Sequence, residues 1–234
     1  MAKAFFFGDS FTRGDGLLDP ELIPNIDNIP HWTEYVATEL GYSEYENHGR
    51  QGNSNDEILL DIISTMGEFN DGDLVCIGQT FMERQIFPCW RIDKVDRTGR
   101  LEYKDRHEWI TRVGSTNAGV DDLFHPEVQK KFAMESGEYM GDMVIGTQAY
   151  ISFVKTRMPA HFQQYYRFRF AELARYLNKI GVQVYLWDVP DNCPDYESIK
   201  KFTNGQIMDG HWSWNGSLLF GKKVVKDIKK GKYI

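Results

Sequence analysis

Along the chain, short unbroken apolar runs alternate with longer stretches whose apolar residues fall at helical spacing. Lys3-Ala4-Phe5-Phe6-Phe7 has the composition of a buried strand and breaks at once into the polar turn Gly8-Asp9-Ser10-Phe11-Thr12. Residues 13 to 29 carry Gly14, Gly16, Pro20 and Pro24 and read as a loop. A helix is expected from Pro30 through Leu40, with Trp32, Tyr35 or Val36, and Leu40 on one face and Gly41 as its stop. Tyr42 to Asn47 suggests a second strand, leading into the glycine-containing turn His48-Gly49-Arg50-Gln51-Gly52-Asn53-Ser54-Asn55. Asn53 to Asp56 supply N-cap candidates for a helix over Glu57 to Met66, which places Ile58, Leu59, Ile62 and Ile63 at helical spacing. Asn70-Asp71-Gly72 then turns the chain into the buried-type strand Asp73 to Gly78. Strand, turn and helix thus recur, which predicts a parallel, doubly wound sheet.

From residue 81 to about 140 the alternation stops. This irregular, aromatic-rich segment holds Phe81, Phe87, Trp90, Tyr103, Trp109, Phe124 and Tyr139, and segments of such length are usually lids or binding elements. Helical stretches around 145 to 158 and 160 to 180, broken by Pro159, lead to the strand Val182 to Trp187. A loop through Asp188 and Pro190 reaches Met208-Asp209-Gly210-His211-Trp212, and a helix over Ser217 to Lys229 follows.

Composition narrows the picture. The 234 residues are 41% hydrophobic with no linker-like stretch, which fits one domain, 1–234, that holds the 81–140 segment as an insertion or lid. A formal charge of -7 argues against a nucleic-acid partner. The lysines from Lys222 to Lys232 read instead as a solvated face at a helix C-terminus, where cations oppose the macrodipole. Cys76, Cys89 and Cys193 are too scattered for a disulfide framework or a Cys-x-x-Cys site and are expected as free thiols. No apolar stretch approaches ~18 residues and no basic-then-apolar leader is apparent, so neither a membrane partner nor export is expected. A cytoplasmic protein is the expectation, although carriage on a virion leaves the same signature.

The turns after the first three strands should meet at one edge of the sheet, where ligands of open α/β folds bind. That edge would gather Ser10, Gly52 and Gly78, and His211, two residues after Asp209, could reach it from the loop before the last helix. Acyl transfer needs a hydroxyl nucleophile, an imidazole base, a carboxylate to orient it and donors for the oxyanion.

These residues resemble the SGNH (GDSL-type) hydrolases, a family of esterases, lipases, deacetylases and some acyltransferases. The resemblance implies a flavodoxin-like three-layer α/β/α fold with a central parallel sheet of about five strands. Phe7-Gly8-Asp9-Ser10-Phe11-Thr12 is similar to the first block, which makes Ser10 the nucleophile and an oxyanion donor through its N–H. Asn47 to Ser54 is similar to the second, with Gly52 as another donor, and Asp209-Gly210-His211-Trp212 to the last, with His211 as base and Asp209 as its partner. The third block departs from the family pattern Gly-x-Asn-Asp, because Gly78-Gln79-Thr80-Phe81 places Thr80 at the asparagine position. Thr80, Gln79 or Asn53 would then complete the oxyanion hole. The Asp-x-His spacing of Asp209 and His211 resembles that of alginate-type O-acetyltransferases, while Asp122-Leu123-Phe124-His125-Pro126 matches the commoner Asp-x-x-His-Pro but lies inside the aromatic segment.

Simpler roles exist for each residue. Ser10 alone could be a turn or N-cap serine, Asp9 suits a structural hydrogen bond, and His31, His48, His107 and His161 show no metal-ligand spacing. Trp212 and the other tryptophans suit either core packing or stacking on a sugar or acyl group, and Arg84 either an anionic substrate or an ion pair. The expected activity is hydrolysis of a small-molecule or glycan ester by a serine enzyme without cofactor or metal. Transfer of the acyl group to a carbohydrate hydroxyl, and a non-catalytic binding or virion-associated role, are the rivals; the oligomeric state is open.

Overall fold

The computed structural model describes residues 2–15, 17, 23–50, 53–80, 85–95, 101–112, 159–189, 196, 202–203, 206–207 and 211–233. In chain order the elements are β1 (Lys3–Gly8), α1 (Ser10–Arg13), α2 (Trp32–Leu40), β2 (Glu44–Gly49), α3 (Asn55–Thr65), β3 (Leu74–Gln79), β4 (Gln85–Val95), β5 (Leu101–Arg112), α4 (Pro159–Lys179), β6 (Gln183–Asp188), β7 (Phe202–Thr203), β8 (Gln206–Ile207) and α5 (Trp214–Lys229). Two compact units result, one formed by Met1–Phe81 with Tyr165–Ile234 and the other by Met82–Gln164.

The first unit is a mixed α/β structure built on a four-stranded, all-parallel sheet in the order β2-β1-β3-β6. Gly8 pairs with Gly49, Phe7 with Ile77, and Gln79 with Asp188, so the carboxyl ends of all four strands lie along one edge. Side chains alternate between the two faces, as the two-residue period of a strand requires. Ala4, Phe6, Leu74, Cys76, Tyr185 and Trp187 pack with Trp32 and Val36 of α2 and with Phe220 and Val224 of α5. Phe5 and Phe7 turn the other way: the Phe5 ring meets Phe69 edge-on at 4.9 Å, and Phe7 stacks on His48 at 4.7 Å. The Tyr166 hydroxyl of α4 donates to Asp56 Oδ2 of α3 at 2.8 Å, joining these two helices.

Local signals account for most element ends. Helix α2 begins after His31 and stops at Gly41, whose φ of 83° suits a residue without a side chain. Ser54 is the N-cap of α3 and closes a capping box with Glu57: its Oγ accepts from the Glu57 N–H at 3.2 Å, while Glu57 Oε2 accepts from the Ser54 N–H at 2.9 Å. Pro159 is the first residue of α4, where its missing N–H costs nothing, and the expected helix around 145 to 158 lies outside the described residues. Ser213 caps α5, which starts three residues earlier than the hydrophobic pattern indicates. At its other end Lys223 and Lys232 pair with Asp227. No helix among the described residues is long and apolar enough to cross a membrane.

One expectation is corrected. The segment read as irregular from residue 81 contains a long antiparallel hairpin, in which β4 pairs with β5 from Gln85↔Arg112 to Val95↔Leu101. Pro88 inside the first strand and the charged residues that punctuate both strands hide the alternation. Register shifts between Trp90 and Ile92 and between Ile92 and Lys94 interrupt the regular backbone pairing further.

Candidate active site

The sharp turn after β1 sets the position of Ser10. Asp9 is the N-cap of α1, and its Oδ1 accepts from the Phe11 N–H at 3.0 Å. Ser10 is therefore the first residue of a one-turn helix at the carboxyl edge of the sheet, and it is 2% exposed. The turn is braced from β2: Asn47 Nδ2 donates to the Thr12 carbonyl at 2.8 Å. A side chain at Gly49 would put its Cβ 2.3 Å from the Arg13 nitrogen, so only glycine lets the end of β2 lie against α1.

Asparagines at the entrance to α3 reach back to the same turn. Asn53 Nδ2 donates to the Gly8 carbonyl at 3.0 Å, and that oxygen also accepts from the Arg50 N–H at 3.2 Å. Asn55 brackets the end of β3, accepting from the Thr80 N–H at 2.9 Å and donating to the Thr80 carbonyl at 3.1 Å. Thr80 Oγ1 in turn donates to Asp9 Oδ2 at 2.7 Å. Asp9, Asn53, Asn55, Gln79 and Thr80 are all buried. The hydroxyl proton of Thr80 and one amide proton of Asn53 are thus directed at protein oxygens, and Gln79, the last residue of β3, pairs in register with Asp188 on the same edge.

His211 arrives from far along the sequence. Its ring lies 4.9 Å, centroid to centroid, from that of Phe11, the residue after Ser10. This ring contact places His211 against the one-turn helix that begins at Ser10. Trp212 is 3% exposed and packs on Phe11 at 5.0 Å, Trp187 at 5.9 Å and Phe220 at 4.6 Å, the surroundings of a core residue. Beside it a small, partly open depression is lined by Phe11, Leu17, His31, His211, Trp212 and Ser217, with Gly14 and Asp15. Burial pushes the His31 imidazole down to about 4, so it is neutral near pH 7, and its Nδ1 lies 2.9 Å from Thr33 Oγ1. Gly52, Arg84 and Asp209 lie outside the described residues, as do Asp122 and His125.

Two supports of this site carry weak sequence signals. Trp32 reads from its spacing as a core residue of α2, yet its Nε1–H donates to the Phe11 carbonyl at 3.0 Å and its backbone N–H to Ser217 Oγ at 3.2 Å. It therefore links the helix that begins at Ser10 to the helix that follows His211. Asn55 reads as one N-cap candidate among several, and nothing local announces a partner 25 residues away. Among the described residues no group of His, Cys, Asp and Glu could hold a metal ion. The Cys76 thiol is free and buried, and desolvation raises its pKa far above the ordinary value, which makes it a poor nucleophile. Neither the models of known protein families nor the curated proteins contain a match to this chain.

Proposed function

We propose that this chain is a serine-dependent ester hydrolase or O-deacylase of the SGNH type, on a flavodoxin-like α/β/α fold whose parallel sheet has about five strands. The supporting observation is that the His211 ring packs against Phe11, the residue that follows Ser10 in the one-turn helix after β1, across some two hundred positions of sequence. Parallel order β2-β1-β3-β6, with four carboxyl ends on one edge, is the setting such a site requires.

In the proposed reaction Ser10 Oγ attacks the ester carbonyl carbon while His211 takes its proton, and Asp209 holds the imidazole in the required tautomer. The carbonyl oxygen becomes an oxyanion held by the N–H groups of Ser10 and Gly52. Gln79 or Asn53 is proposed to help them, while the Thr80 hydroxyl is directed at Asp9. Collapse breaks the ester C–O bond, and His211 returns its proton to the departing alcohol. Water, deprotonated by His211, then attacks the acyl-enzyme, and the acid leaves as Ser10 recovers its proton. Arg84 remains a proposed substrate contact, whereas Trp212, enclosed by Phe11, Trp187 and Phe220, is assigned to the core.

A fluorophosphonate probe on the full chain tests the reading. Covalent labelling mapped to Ser10 and abolished in Ser10→Ala is expected; folded protein that never labels would sink the catalytic proposal. That second outcome would favour a binding or virion-associated protein, a reading supported by the presence of Thr80 at the position of the family's asparagine. Asp209→Asn is expected to lower turnover of short-chain aryl esters while the protein stays folded, and undiminished turnover would remove Asp209 from the triad. Acceleration of deacylation by a sugar would mark the acyltransferase variant of the same chemistry.

A further inference from the structure

Thr80 raises a question that the reaction leaves open: what does the residue do at the position where an oxyanion asparagine is expected? Its hydroxyl donates to Asp9 Oδ2 at 2.7 Å, and the other oxygen of that carboxylate accepts from the Phe11 N–H at 3.0 Å. Thr80 is itself fixed at both backbone polar groups by the Asn55 side chain, at 2.9 and 3.1 Å. Asp9 is fully buried, and Thr80 and Asn55 are 1% and 0% exposed. The chain of contacts runs from the end of β3, through one carboxylate, to the first turn of α1, where Ser10 lies between the two residues it joins.

We infer that Thr80 is a positioning residue that acts on Ser10 through Asp9, rather than a donor to the substrate. The inference rests on the reading of Ser10 as the nucleophile. An aspartate N-cap has two rotational freedoms that a single bond from Phe11 does not remove. A second bond from Thr80, to the other carboxylate oxygen, fixes the plane of the group and with it the direction of the first turn of α1. Charge-assisted bonds of this kind are short and directional. The substitution of threonine for a longer amide then has a geometric sense: a hydroxyl on a β-branched side chain, held by Asn55, meets the carboxylate at close range with few rotamers to lose.

The test uses Thr80→Val, which keeps the shape and removes the hydroxyl, and Thr80→Ser, which keeps the hydroxyl and removes the methyl. Misplacing a reacting group by ~1 Å costs on the order of a hundredfold, so the second-order rate of fluorophosphonate labelling should fall about tenfold or more in Thr80→Val. Thr80→Ser should label within about threefold of wild type, since loss of a methyl leaves the carboxylate bond in place. Amide hydrogen exchange at Phe11, read by NMR, should speed up in Thr80→Val and return toward wild type in Thr80→Ser. A Thr80→Val protein that labels as fast as wild type overturns the inference and leaves the nucleophile intact. A folded Thr80→Ser protein that loses labelling overturns it too, and this variant decides the matter even if valine prevents folding. Wild type that never labels removes the nucleophile itself, and the positioning role with it.

Discussion

Replacement of Trp32 by phenylalanine tests the tie between the two halves of the candidate site. The Trp32 side chain is fully buried, and its ring meets Phe6 at 5.3 Å, Phe220 at 5.0 Å and Trp187 at 5.8 Å. Phenylalanine keeps the backbone N–H that donates to Ser217 Oγ but loses the indole N–H that donates to the Phe11 carbonyl. Leaving a buried acceptor without its donor costs about 1–3 kcal/mol, and the partial cavity left by the smaller ring adds about 1 kcal/mol. The expected total is ~2–4 kcal/mol, which at roughly 2–4 °C per kcal/mol for a chain of this size lowers the melting temperature by about 5–15 °C. Urea denaturation followed by near-ultraviolet circular dichroism measures the first quantity, and a thermal scan the second. Fluorophosphonate labelling adds a functional readout, expected to slow because the Phe11 carbonyl belongs to the residue that follows Ser10. A loss of stability below about 0.5 kcal/mol, the range of ordinary surface substitutions, would refute the reasoning.

Three further outcomes are expected. Ser54→Ala removes one half of the capping box and should destabilise by about 1 kcal/mol, up to 2; an unchanged urea midpoint would show that Glu57 suffices alone. Gly14→Ala forces a side chain into the left-handed region at φ 88°, with its Cβ 2.8 Å from His31 Nε2, and should cost about 1–2 kcal/mol for the backbone alone; equal stability in denaturation would contradict both terms. His31, whose pKa falls from 6.5 to about 4 on folding, is neutral when folded, whereas the unfolded chain takes up its proton first. Its contribution is therefore fully present above pH 6.5 and is lost as pH falls toward the folded pKa of about 4. The stability difference between wild type and His31→Asn should shrink across that window, and parallel pH curves would count against a desolvated neutral imidazole.

Much of the sheet was legible because burial on both faces leaves a plain signature. Lys3 to Gly8, Leu74 to Gln79 and Gln183 to Asp188 are near-continuous apolar runs closed by small or polar residues, and they appear as strands within a residue or two of the expected bounds. The edge strand β2 was harder. Glu44-Tyr45-Glu46-Asn47-His48-Gly49 is mostly polar and is recognisable chiefly from the turn that follows it. The β4–β5 hairpin was missed for the opposite reason, since its aromatic content suggested a binding segment while Pro88 and two register shifts concealed its period.

For the candidate site, identity was easier to read than connection. Ser10 and His211 stand out because a glycine-bounded turn after a strand and a histidine before a terminal helix are local patterns, and the His211 ring packs on Phe11, the residue after Ser10. Asn55, Trp32 and Thr80 act through partners 25, 21 and 71 residues distant, and no local pattern encodes a pairing of that range. Their physical sense appears only when buried polar groups are matched one to one, as their desolvation cost demands. The same matching changes the meaning of the departure at Thr80. As a sequence feature it looks like the loss of an oxyanion donor; in the fold its hydroxyl holds the carboxylate that caps the helix beginning at Ser10. If that carboxylate must stay fixed for Ser10 to react, a residue there is constrained to a short hydroxyl that reaches Asp9, and substitutions to longer amides should be tolerated less well than serine.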